Sequence, residues 1–203
     1  MSDILLREDS NAVASLTLNA PNKLNALSEE MMAALQSELD SIAIDISVRA
    51  VIIKGTGKAF CAGHDLKQLT AARQSEDGGK AYFNGLFTTC GKLMRSITKL
   101  PQPVIAQVHG IATAAGCQLV ASCDMAVAAH STRFGVNGVN IGLFCSTPQV
   151  ALKHNILLKQ SFYMLTTGEF IYSDYAFHIV LLKRAVPAES VDAATLRMIK
   201  QNI

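Results

Sequence analysis

Apolar residues in this chain recur at two spacings. Residues 12–18 (Ala-Val-Ala-Ser-Leu-Thr-Leu) form an apolar run of strand length. Asn19-Ala-Pro-Asn22 follows as a turn, with Pro21 fixing φ. The expected first element is therefore an N-terminal strand pair or hairpin. A helix is expected after Ser28, which suits an N-cap: Glu29 and Glu30 fall in the first turn, and Leu27 can staple against Met32. Met31, Leu35, Leu39 and Ile42 supply its buried stripe. Ala50-Val-Ile-Ile-Lys54, Val104-Ile-Ala-Gln-Val108 and the run from Met125 to Ala129 read as short strands. A helix over 80–99 runs up to Pro101 and Pro103, and another carries Leu119 and Val120. Residues 71–79 are polar and Gly-rich, the pattern of a mobile loop, and 135–142 reads as a loop or irregular turn. Thr147 and Pro148 open a helix as N-cap and N1. Helices near 160–167 and 174–181, a strand-like Lys183-Arg-Ala-Val186 and a helix from near Ser190 complete the pattern. Strands alternating with helices, with Gly at strand ends, predict parallel βαβ units whose ligand sits at the carboxyl ends of the strands.

Composition narrows the function. Half of the 203 residues are hydrophobic and 17% are charged, so a sizeable core is expected. The net charge is +2, from 18 basic and 16 acidic residues, with no basic run and no Trp, which excludes a dedicated nucleic-acid surface. Cys61, Cys90, Cys117, Cys123 and Cys145 are scattered and odd in number, so neither a disulfide framework nor a zinc site is expected. His109, His130, His154 and His178 lack metal-ligand spacing, and no metal is predicted. The first nine residues carry neither a signal-peptide nor a transit-peptide pattern, so the expected location is cytoplasmic, with a mitochondrial matrix as the alternative. The most apolar stretch, Ile111 to Cys123, is too short and interrupted to span a bilayer.

Two strand-to-loop turns carry candidate chemistry. One is Phe60-Cys-Ala-Gly-His-Asp; the other is Gly110-Ile-Ala-Thr-Ala-Ala-Gly-Cys-Gln. Small residues let a ligand approach the backbone, and a helix start leaves N–H groups free. Two converging N–H groups make an oxyanion hole for a carbonyl that becomes enolate-like. The same small residues also serve tight helix–sheet packing.

Asn25-Ala-Leu-Ser28, Phe60-Cys-Ala-Gly-His-Asp-Leu66, Pro103-Val-Ile-Ala and Gly116-Cys-Gln-Leu-Val-Ala-Ser-Cys-Asp124, in that order, resemble the enoyl-CoA hydratase/isomerase (crotonase) superfamily. Phe134-Gly with Ile141-Gly142, and Leu165-Thr-Thr-Gly-Glu169, extend the resemblance, which runs from about residue 12 to 187. Gly110 to Leu119 and Val139 to Pro148 are similar to one branch of it. The resemblance implies an α/β, ClpP/crotonase-type spiral of ββα units over 1–187, with 188–203 as the start of an incomplete C-terminal helical region. It implies an acyl-CoA ligand, a homotrimer or pair of trimers, and no cofactor beyond the coenzyme A of the substrate. It implies that the thioester oxygen receives N–H bonds from His64 and Ala115, beside Gly116. It also implies coenzyme A contacts around Lys23, Asn25, Ala26, His64, Asp65, Leu66 and Lys67.

Hydratases of this superfamily use two glutamates, whose positions here hold Gln118 and Gly138. Neither replacement titrates near neutral pH. Each such group is worth roughly 10²–10⁴ in rate, so hydration is expected to be weak. Several roles stay open from the residues alone. His64 either serves the chemistry through its ring or fills a turn. Gln118 either orients a water or bonds to backbone. Asp65 is expected to cap the following helix and Asp124 to fix a turn before its strand. Cys145 is expected to be a packed thiol rather than a nucleophile. Lys23, Lys67 and Lys92 either meet coenzyme A phosphates or are solvated. Leu157 and Val180 stand where superfamily helices tend to end at Gly, which predicts left-handed strain at both. The expected function is thus an acyl-CoA enzyme of hydratase/isomerase type acting through enolate stabilisation. The alternatives are a non-catalytic acyl-CoA binder, an oligomeric scaffold or an acyl-CoA decarboxylase.

Overall fold

A computed structural model describes residues 4–200. The residues 1–3 of the expected leaderless start, and 201–203 of the C-terminal region, lie outside the described part.

β1 (Leu5–Ser10) and β2 (Val13–Leu18) form an antiparallel hairpin in register from Leu5 opposite Leu18 to Ser10 opposite Val13. Asn11 and Ala12 turn it at φ of 50° and 61°, the left-handed pair that matches strand twist. α1 (Glu29–Ala43) starts as expected, with the Ser28 hydroxyl accepting from the Met31 N–H. β3 (Ala50–Gly55) then pairs parallel with β2. α2 (Leu66–Ala72) is capped by the Asp65 carboxylate, which accepts from the Lys67 N–H at 2.9 Å. α3 (Lys80–Lys99), β4 (Val104–Val108), β5 (Ile111–Thr113), α4 (Ala115–Ser122) and β6 (Met125–Ala129) follow. β7 (Arg133–Gly135), α5 (Ser146–Asn155), α6 (Leu158–Thr167) and β8 (Ile171–Tyr172) come next. α7 (Ser173–His178), β9 (Arg184–Val186) and α8 (Val191–Lys200) close the described chain.

The strands make two sheets, one of six in the order β1-β2-β3-β4-β6-β9 and one of three in the order β5-β7-β8. All pairings in the large sheet beyond the first hairpin are parallel. Alternation along the central strands divides the core. Val51, Ile53, Val104 and Ala106 join the stripes of α1 and α3, while Ala50, Ile52 and Ile105 face Val191, Met198 and Ile199 of α8. Fully burying each Val, Ile or Met side chain among these contributes roughly 1.5–3 kcal/mol.

Several expectations are corrected. The helix expected to begin with Thr147 as N-cap starts at Ser146 instead, with Cys145 in the cap position. Leu157 is extended, at φ −58°, and carries no left-handed strain; Val180 does, at φ 69°. Residues 71–79 are not simply a loop: α2 runs to Ala72, and the Asp77 carboxylate gathers the Gly79 and Ala81 N–H groups at the start of α3. The stretch 135–142 holds a 3-10 helix over Asn137–Ile141. Asp124 does more than fix a local turn, because its carboxylate accepts from the Val104 N–H of the neighbouring strand at 2.7 Å.

Candidate functional site

The two turns singled out from sequence lie against each other. Cys61 accepts from the Thr113 N–H at 3.0 Å and donates its own N–H to the Ile111 carbonyl at 3.2 Å, so residues 60–62 run as an extra strand beside β5. On the other side the Leu27 N–H donates to the Gly63 carbonyl at 2.7 Å. A Cβ at Gly63 would sit 2.9 Å from the Ala114 Cβ and 3.3 Å from the Ala115 nitrogen. Residue 64 is thereby the immediate neighbour of the α4 N-terminus. Ala115 is the first residue of that helix, and its N–H points out of the helix with no partner one turn back. His64 immediately precedes Asp65, which caps α2 as expected.

Ala114 reaches this geometry at φ 50°, ψ −120°, a conformation an L-residue rarely adopts. Its N–H is held by the Gly135 carbonyl at 2.9 Å. Such strain is typically 1–3 kcal/mol and persists only where the surroundings over-determine it. Gly116 is equally constrained, because a Cβ there would overlap the Cys61 carbonyl.

The other predicted residues divide into frame and surface. Asn25 is fully buried, and its amide is spent on backbone: Oδ1 accepts from the Ala20 N–H, and Nδ2 donates to the Thr56 and Ala59 carbonyls. Its side chain ties the connection before α1 to the one after β3, a framing role beside the ligand contact that the resemblance implies. Ala26 is buried beside it. Lys23, Leu66 and Lys67 are exposed, and Asp65 is engaged as a cap.

The His64 ring is mostly enclosed. Nδ1 is 3.4 Å from the Leu27 carbonyl, and Nε2 is buried without a partner. Burial favours the neutral ring and pushes its pKa down, partly opposed by the Leu27 carbonyl, which favours the charged form. Its edge meets Phe87 of α3, with ring centroids 5.9 Å apart.

Gln118 is 4% exposed, and its Oε1 has no hydrogen-bond partner. It lines a cavity of about 570 Å³ between α3, α4 and α5, together with Phe87, Met94 and Thr147. Gly138 has no room for a side chain: a Cβ would lie 2.7 Å from the Leu143 carbonyl oxygen and 2.8 Å from the Cys145 Sγ. The Gly138 N–H and Cys145 thiol are in contact, and burial raises the Cys145 pKa despite that N–H. Burial also pushes the Cys61 and Cys117 thiols up to about 12, so none of these is an activated nucleophile. Among the described residues no three His, Cys, Asp or Glu side chains converge as a metal site needs.

A largely parallel sheet flanked by helices, with two apposed turns and an adjoining cavity, defines the class as an α/β protein. The sequence profile of the enoyl-CoA hydratase/isomerase family matches residues 8–203, and the chain belongs to that family. It is 45% identical over 191 residues to enoyl-CoA hydratase domain-containing protein 3, mitochondrial, of Xenopus laevis, covering 94% of this chain and 63% of that protein. The human protein of the same name is 43% identical over 191 residues, which cover 94% of this chain and 61% of that relative. The chain therefore spans a little under two thirds of the length of these relatives. The crystal structure of an enoyl-CoA hydratase of Mycobacterium smegmatis superposes with a TM-score of 0.93 at 50% identity, covering 98% of this chain and 76% of the other. The crystal structure of the human domain-containing protein 3 gives a TM-score of 0.91 at 40% identity, again over 98% and 76%. The fold is crotonase-like, and the branch suggested by residues 110–119 and 139–148 is the one these relatives represent. No described helix is long and apolar enough to cross a membrane.

Proposed function

We propose that this chain binds acyl-CoA thioesters and polarises the thioester carbonyl between the main-chain N–H groups of His64 and Ala115. The observation that carries this is the packing of residues 61–63 along Ile111–Thr113, which sets residue 64 beside the free N–H at the start of α4. Two donors aimed at one oxygen favour negative charge there, and one such donor is worth about 2.7–4 kcal/mol of barrier. Coenzyme A arrives as part of the substrate, with Lys23, Ala26 and the 64–67 turn at the mouth, and no other cofactor is invoked. Hydration of 2-enoyl thioesters is slow on this reading. Gln118 can hold a water but cannot take its proton, and Gly138 leaves no space for an acid. Exposed Phe162, Tyr163 and Phe177 on α6 and α7 support association into a homo-oligomer. The relatives named mitochondrial support a matrix location, and the five free cysteines suit a reducing compartment.

The test is calorimetric binding and product analysis with saturated, 2-enoyl and malonyl-type CoA esters. Ala115→Pro removes the donor at a helix position that tolerates proline. Made in an Ala114→Gly background, which relieves the strained residue before it, it is expected to lower any turnover by roughly 10²–10³. Robust turnover by the proline variant, or no acyl-CoA binding by the parent, overturns the proposal. The closed Gly138 site specifically favours a second reading, a binder without catalysis. That reading predicts no product from any ester after long incubation, and product that disappears in His64→Ala excludes it. Turnover confined to the malonyl-type ester would identify decarboxylation, which needs enolate stabilisation but no strong base.

A further inference from the structure

The cavity between α3, α4 and α5 extends well beyond what a carbonyl needs. Phe87, edge-on to His64, and Gln118, one turn past Ala115, mark its reactive end. There the Gln118 Oε1 is buried and unpartnered in a side chain only 4% exposed, a deficit that a ligand group can relieve. Beyond it the wall turns apolar, with Met94, Ala121 and Val150. No acidic side chain lines the cavity, but Arg95 does. Its guanidinium folds back along α3, so that Nη1 lies 3.5 Å from where a Gly91 Cβ would stand. Among the described residues Arg95 has no ion-pair partner. Gly91 is about 6 Å along the helix from Phe87, and Gln118 about 4.5 Å from Ala115.

We propose that this cavity takes the acyl chain of a coenzyme A thioester that ends in a carboxylate, with Arg95 pairing with that terminal group. The helix spacings suit a chain of about six to eight carbons, and a guanidinium–carboxylate pair is the contact this end is equipped to make. The proposal rests on the acyl-CoA reading above and adds the class of acyl group. Calorimetry with hexanoyl-CoA, octanoyl-CoA and their ω-carboxy counterparts, adipoyl-CoA and suberoyl-CoA, tests it. The ω-carboxy esters are expected to bind about fivefold tighter than the plain esters of equal length, with the ratio shrinking as salt is added. Arg95→Gln is expected to bring the ratio to near one, and Arg95→Lys to keep part of it. Arg49→Gln, which removes a positive charge that does not line this cavity, is expected to keep all of it. Equal or weaker binding of the ω-carboxy esters, or a preference that survives Arg95→Gln, overturns the proposal while leaving the acyl-CoA reading intact. If octanoyl-CoA and suberoyl-CoA both fail to bind, the acyl-CoA reading itself falls.

Discussion

Residues 60–122, which include α4, and residues 136–182, whose helix α5 packs on α4, are held in different ways. In the first region main chain meets main chain: the 61–63 segment is hydrogen bonded to Leu27 on one side and to β5 on the other, and Gly116 is pressed against Cys61. In the second region a side chain shares the task. The Cys145 thiol closes the space at Gly138 together with the Leu143 carbonyl, while Ile141, Phe144, Leu157, Leu158 and Phe162 stand at the surface. The difference separates two parts of one chemistry. A carbonyl-polarising site made of amides tolerates many side-chain exchanges, because every residue but proline carries an N–H. Proton transfer depends on particular side chains and vanishes when they are replaced. On the proposed reading this chain keeps the amide pair of the first, and the positions of the second's acids hold Gln118 and Gly138.

The largest effect that breaks the comparison comes from adding one methyl group to each region. Gly116→Ala drives a Cβ into the Cys61 carbonyl, where backbone cannot give way easily, and is expected to cost about 3 kcal/mol. Gly142→Ala, in the second region, has nothing within 4 Å of the new Cβ and suffers only from its φ of 74°. It should cost about 1 kcal/mol. Urea unfolding of the two variants measures both, and equal losses would show that the first region is no tighter than the second.

How much of this was legible in the sequence follows the same division. The helix after Ser28, the Asp65 cap, the parallel strands and the two apposed turns all rest on local signals: a cap residue, an apolar period, a glycine after a strand. The small sheet of β5, β7 and β8 was missed, since strands of two or three residues carry no period. The framing role of Asn25 was not legible either, because nothing local shows that its amide reaches Ala59, 34 residues away; its ligand contact is implied by the resemblance alone. Arg95 was passed over for a similar reason: its place in the cavity depends on how α3, α4 and α5 come together. Leu157 was expected to be strained by analogy with helix ends at Gly, whereas α5 ends at Ile156 in extended backbone and needs no left-handed residue.

Placing an acid at Gln118 or Gly138 sharpens the comparison at the level of chemistry. Gln118 faces the cavity with an unpartnered oxygen, so Gln118→Glu replaces an amide by a carboxylate without steric change. Burial should raise that carboxylate's pKa and suit it to proton transfer. An increase of about tenfold in crotonyl-CoA hydration is expected, short of a full acid–base group because the second acid is still missing. Gly138→Glu should give no gain, since its Cβ would lie 2.8 Å from the Cys145 Sγ. Product formation followed by chromatography distinguishes the two. A gain from Gly138→Glu alone would mean that the 136–145 segment opens readily.

Each region also holds a non-glycine residue in left-handed backbone, Ala114 at φ 50° and Val180 at φ 69°. Val180 is 71% exposed, so its side chain contributes little packing, and a β-branched residue is poorly suited to that conformation. Val180→Gly is expected to stabilise by about 1 kcal/mol, which raises the unfolding midpoint by roughly 2–4 °C in a chain of this size. Calorimetry showing no rise would mean that packing at Val180 outweighs its strain.

The smallest effect concerns pH and belongs to the first region alone. The His64 ring is enclosed beside Phe87, and its pKa lies below the ordinary 6.5 because burial disfavours the charged form more than the Leu27 carbonyl favours it. The unfolded chain, whose imidazole has the ordinary value, therefore takes up the proton first as pH falls. Linkage then sets the sign: the stability contributed by neutral His64 is fully present above about pH 6.5 and is lost as pH drops below it, through the folded value. Replacing the ring by an uncharged amide, His64→Gln, removes this proton uptake. The unfolding midpoint of the parent chain should fall more steeply between pH 6.5 and 5 than that of the variant, with the other histidines common to both. Parallel slopes would mean that water reaches Nε2 and solvates the imidazolium. The turn that carries the proposed amide donor would then be less sealed than its hydrogen bonds to Leu27 and β5 indicate.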